Sequence, residues 1–112
     1  MMDKELKLII QPYDNWFNDV DEETNLQAKA ALLEFYRVLR KKKPDTRYEM
    51  GDIYHFRYLL FFVNIKKAFE EEKYLRVCNE FHSLMYYTPL FQKRVYNNAI
   101  NILETYLEIK GG

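Results

Sequence analysis

Residues 89–110 read PLFQKRVYNNAINILETYLEIK, and the spacing of their apolar positions decides the fold. Phe91, Val95, Ala99, Ile102, Tyr106 and Ile109 recur every three or four residues, and so does a second set, Tyr96, Ile100, Leu103 and Leu107. That is the period of an amphipathic helix. At about 100° per residue the two stripes are centred roughly 110° apart. Thr88 is a good N-cap, Pro89 a good first helical residue, and Gly111 tolerates the left-handed conformation that ends a helix. A terminal helix in a small bundle needs only one apolar stripe, so the second predicts something that covers it. A second copy of the chain, meeting the stripe across a two-fold axis, is the preferred covering surface. The competitors lie within the chain: a deeply wrapped terminal helix, or Leu6, Ile9, Ile10, Trp16 and Phe17 laid across the stripe.

The same period extends back along the chain. Tyr74, Val77, Cys78, Phe81, Leu84 and Met85 form a single stripe that ends at Tyr87. Before it, Ile53 to about Glu71 is apolar on two sides, with Ile53, Phe56, Leu59, Leu60 and Val63 on one and Tyr54, Tyr58, Phe61, Ile65 and Ala68 on the other. A helix apolar nearly all round belongs at the centre of a bundle, so Phe56, Leu60 and Val63 are expected to be almost fully buried. A long helix over Glu22–Lys42 carries Leu26, Ala30 and Leu33 on one side and Ala28, Leu32, Phe35 and Leu39 on another. Asp19 with Glu22 resembles a capping box at its start, with Asp21 or Thr24 as alternative caps. Leu6, Ile9 and Ile10 form a short apolar start that stops at Pro12. Strict alternation of apolar and polar residues is absent, so no sheet is expected. The predicted fold is all-α: four main helices over residues 20–112, preceded by a short helical arm over 1–19, in one domain.

The pair of helices from Tyr58 to Pro89 resembles a tetratricopeptide-type hairpin at Tyr74, Phe81 and Pro89. Ile65 and Val77 replace the small residues of that repeat and no second copy follows, so an ordinary antiparallel pair is expected.

Composition narrows the function classes. The 17 basic and 17 acidic side chains balance to zero, which removes the simple arguments for an acidic DNA mimic or a broadly basic nucleic-acid binder. A single cysteine, Cys78, forms no internal disulfide and suggests a reducing compartment. The longest apolar run, Tyr58 to Val63, is far too short to cross a bilayer, so a soluble, cytoplasmic protein without membrane contact is expected. Aromatic residues make up 17% of the chain and ten of them are tyrosines, which suit either the rim of a small core or a surface buried part of the time.

Charge is segregated. Asp14, Asp19, Asp21, Glu22 and Glu23 lead into the long helix and its first turn, whereas Arg37, Arg40, Lys41, Lys42, Lys43 and Arg47 crowd its end. Acids at a helix start and bases at its end complement the macrodipole, and that reading is preferred over contact with nucleic acid. Tyr36 and Tyr48 flank the run, placed either to stack on single-stranded bases or to pack on lysine stems.

Reaction chemistry is sparse. Cys78 and His82 stand four apart, within reach of His55 on the helix before, but no second close pair completes a zinc site. There is no glycine-rich phosphate loop, and the lone Ser83 lacks a nucleophile elbow. No metal and no cofactor are expected. Arg76 and His82, in a tyrosine-rich helical chain of this size, resemble the arginine–histidine pair of HEPN-type ribonucleases. That resemblance implies a dimer interface at which histidine moves the ribose 2′-hydroxyl proton and arginine stabilises phosphate charge. Val77 stands where that family usually has a polar residue, and six positions along a straight helix set the pair about 120° apart.

The sequence therefore predicts a non-enzymatic protein–protein interaction module, a small regulator, adaptor or inhibitor. It is expected to self-associate through Tyr96, Ile100, Leu103 and Leu107. The alternative is an RNA-directed protein that uses either the basic run at 37–47 or, as a ribonuclease, Arg76 and His82.

Overall fold

A computed structural model describes residues 4–13, 21–42, 52–87 and 93–108, with backbone alone over 52–57. The described chain is helical, as the periodicity predicts: α1 Lys4–Ile10, a 3-10 turn Gln11–Tyr13, α2 Glu22–Lys41, α3 Asp52–Glu70, α4 Tyr74–Tyr87 and α5 Lys93–Tyr106. The described residues contain no strand. None of their helices is long and apolar enough to cross a membrane.

The four long helices close a ring in which α2 packs on α4, α4 on α3, α3 on α5, and α5 back on α2. Helix α1 and the 3-10 turn add an outer layer, α1 against both α2 and α4 and the turn against α4. The core runs through the ring: Leu32, Phe35 and Leu39 of α2, Tyr58 and Ile65 of α3, Val77, Phe81 and Leu84 of α4, and Val95 and Leu103 of α5. Phe35 and Phe81 meet at its middle with ring centroids 5.2 Å apart. Leu6 and Ile10 of α1 are fully buried against it.

Local chemistry sets the helix ends. Asp21 caps α2, its carboxylate accepting from the Thr24 amide at 2.7 Å, which selects Asp21 from the three candidate caps. That bond holds the Asp21 carboxyl below its usual pKa. Between α3 and α4, Glu72 takes a left-handed backbone (φ 57°) with the bonds of a Schellman stop, Lys73 N–H to Ala68 O at 2.9 Å and Glu72 N–H to Phe69 O at 3.0 Å. Asn25 of α2 grips the same turn: its side-chain amide donates to Glu72 O at 2.7 Å, and its carbonyl accepts from the Tyr74 amide at 2.9 Å. Helix α5 ends before the expected Gly111, because Glu108 turns left-handed at φ 54°. The expected caps Asp19 and Thr88 and the first helical residue Pro89 lie outside the described residues.

The centre of the bundle is α4 rather than α3. Helix α4 touches α1, the 3-10 turn, α2 and α3, and buries Leu75 and His82 besides its predicted stripe. Helix α3 packs through Tyr58, Phe62, Ile65, Ala68 and Phe69, which leaves Leu60 67% and Val63 61% exposed instead of buried. The physical reason is the docked arm: α1 and its turn cover the outer side of α4, and nothing among the described residues does the same for α3. The Phe56 side chain lies outside the described residues. On α2 the Ala28–Leu39 stripe is buried, whereas Leu26 and Ala30 face water.

Candidate protein-interaction face

The second stripe of α5 is core. Tyr96, Ile100, Leu103 and Leu107 are all buried within a single chain. Among the described residues, helices α2 and α3 pack on α5, whereas α1 packs on α2 and α4. Tyrosine hydroxyls explain how α5 meets α2. The Tyr96 hydroxyl reaches the carboxy-terminal end of α2, 2.8 Å from Lys42 O and 3.1 Å from Leu39 O, the second of which also accepts from the Lys42 amide. Tyr36 donates to the Glu104 carboxylate at 2.7 Å. Burial pushes both phenols above their ordinary pKa, for Tyr36 with the hydrogen bond to Glu104 as the next cause. The expectation of a partner at this stripe is corrected: two neighbouring helices need both α5 stripes.

Among the described residues, exposed apolar side chains cluster on α3. Leu60 and Val63 project one turn apart on the side of α3 about 160° from its buried face, with the less exposed Leu59 beside them. Next to Leu60 opens a hollow of about 320 Å³ lined by Leu60, Phe61, Asn64 and Tyr87. Its wall is aromatic, because Phe61 stacks on Tyr87 with centroids 6.1 Å apart and planes 20° apart. Asn64 hydrogen-bonds the half-buried Glu80 of α4, whose carboxyl is raised by burial and drawn back by Arg76 and by that bond. Among the described lining residues the hollow is apolar and aromatic apart from the Asn64 amide and the Tyr87 hydroxyl. A second hollow, on α2, is bordered by Glu22, Glu23, Gln27 and Ala30 around the exposed Leu26. No aromatic residue is among its described lining.

The other predicted site residues are not brought together. Arg76 acts on Glu80 on the α3 side of α4, whereas the buried His82 sets its ring edge on Tyr86, 5.3 Å between centroids, beneath Lys7 of α1. The pair therefore faces different neighbours across α4. In the basic run, Arg37 lies 3.7 Å from Glu34, Lys42 lies 3.4 Å from Glu5, and Arg40 hydrogen-bonds the phenol of Tyr36. Lys41 ends α2, and Lys43 and Arg47 lie outside the described residues. Cys78 is buried with its thiol toward Ala28 O, and no three metal-binding side chains gather among the described residues.

The exposure of Leu60 and Val63 is not legible in the sequence, because the two-sided pattern of 53–71 suits a central helix and a helix with one inner and one outer side equally well. No family model, no curated protein and no solved structure matches the chain.

Proposed function

We propose that this chain is a non-enzymatic protein–protein interaction module, a small regulator, adaptor or inhibitor, whose contact face is the outer side of α3 with the Phe61–Tyr87 hollow. The observation that carries the reading is the paired exposure of Leu60 and Val63 beside that aromatic wall. Exposed leucines scattered singly are ordinary, but a contiguous aliphatic and aromatic patch on a small monomer marks a contact surface. A reducing, cytoplasmic setting suits the single buried thiol of Cys78. The RNA-directed alternatives have less support, since Arg37 and Lys42 have carboxylate neighbours and Arg76 and His82 face apart.

The test is a photo-crosslinking amino acid placed at position 60, 63 or 26 and illuminated in cells. Adducts at 60 and 63 but not at 26 are expected, because Leu26 is an equally apolar, 55% exposed residue away from the face. Equal yields at all three positions would refute the assignment.

A further inference from the structure

Resting on that reading, we infer that the occupant of the α3 face is a second copy of this chain, packed α3 against α3 about a two-fold axis. The first argument is periodicity. The inner seam of α3 runs Tyr58, Phe62, Ile65, Phe69, with steps of four, three and four, and packs on neighbouring helices. On the opposite side, Leu60, Val63, Lys67 and Glu70 follow in steps of three, four and three, all four exposed. Both are the spacing that a second helix can meet side by side, so a helix fits the outer seam as its partner. Helix α3 itself carries that seam, and a two-fold axis satisfies both copies with one surface.

The second argument is area. Leu59, Leu60, Val63, Phe61 and Tyr87 expose on the order of 500 Å², within the range of the largest apolar patch on a typical monomer. Two such patches together reach roughly 1,000 Å², the lower limit for a specific interface, which sets the expectation of a weak, reversible dimer. The third is charge. With 17 bases and 17 acids the chain carries no net charge at neutral pH, so no net repulsion opposes two copies meeting. Self-association thus belongs to α3 and not to α5.

Sedimentation of the full chain from about 5 to about 500 µM, the range of a marginal interface, tests this. The weight-average mass is expected to rise from 13.7 kDa toward twice that value. Leu60→Glu combined with Val63→Glu should stay monomeric throughout with unchanged helical circular dichroism. A third measurement covers the case in which that variant fails to fold. Leu60→Cys should be joined into covalent dimers by a short bis-maleimide, whereas Leu26→Cys should not, and the native Cys78 is buried and out of reach. A wild type that stays monomeric across the range overturns the inference. So does a dimer that the folded double variant still forms, or equal crosslinking at positions 60 and 26. Photo-adducts at 60 and 63 whose mass differs from twice the chain would sink the second copy and leave the interaction reading standing. Absence of any excess over the position 26 control would remove both.

Discussion

Leu60→Ala and Leu103→Ala form a paired test of where the core lies. Leu103 is fully buried on α5, so truncation removes transferred apolar surface and leaves a cavity between α5 and its neighbours, a loss of about 2–5 kcal/mol. Leu60 is 67% exposed, so only about a third of its side chain is withdrawn from water and no closed cavity follows; the expected loss is under about 1 kcal/mol. In thermal terms Leu103→Ala should lower Tm by on the order of 10 °C, and Leu60→Ala by at most a few degrees. The assay is urea unfolding followed by far-ultraviolet circular dichroism at about 1 µM, dilute enough that mass action from a weak dimer adds nothing to either value. The slope against urea should match wild type, so that midpoint differences report stability alone. A loss above about 2 kcal/mol for Leu60 would place the outer side of α3 in the core, and one below about 0.5 kcal/mol for Leu103 would place the second α5 stripe outside it; either result overturns the reasoning.

Further outcomes follow from the helix ends and the buried phenols. Asn25→Ala removes both bonds to the α3–α4 turn and should cost about 1–3 kcal/mol, with faster hydrogen exchange at the Tyr74 amide as its local signature. Glu72→Gly should raise stability by about 0.5–1 kcal/mol in the same urea assay, since only glycine holds φ 57° without strain; a destabilised variant would contradict the left-handed stop. The phenols of Tyr36, Tyr58, Tyr96 and Tyr106 are all raised, burial being the largest cause in each. Folding therefore favours their neutral form, a contribution fully present below the unfolded phenol pKa of about 10 and lost as pH rises through the folded values. Melting temperature should fall steeply above about pH 10, and Tyr36→Phe should flatten that fall; an unchanged alkaline profile would show that Tyr36 contributes nothing to it.

The helices, the buried stripe of α2 and every member of the α4 stripe were legible from spacing alone, because burial on one face imposes a period that any reader of the chain recovers. The position of each helix within the ring was not. The α5 stripe of Tyr96, Ile100, Leu103 and Leu107 and the α3 pair Leu60 and Val63 look alike as strings, yet one is core and the other faces water. What separates them is contact made far along the chain. Helices α2 and α3 both reach α5, and the α1 arm covers α4 rather than α3. Tyr96 gave no warning of its fate either, since its hydroxyl bonds to carbonyls of residues 39 and 42, more than 50 positions away. Arg76 and His82 separated as their spacing on a straight helix anticipates.

The Asn25 clamp also orders events in time. The α3–α4 hairpin closes across a three-residue link, so its contacts form at small entropic cost and early. The two bonds of Asn25 span 47 and 49 residues and have no acceptor or donor to meet until that hairpin exists. They are therefore expected to be late contacts, made after the barrier to folding and broken first in unfolding. Removing them should leave the refolding arm of a chevron plot nearly unchanged and steepen the loss of native molecules, so the amide acts as a latch on the lifetime of the fold more than as a guide to it.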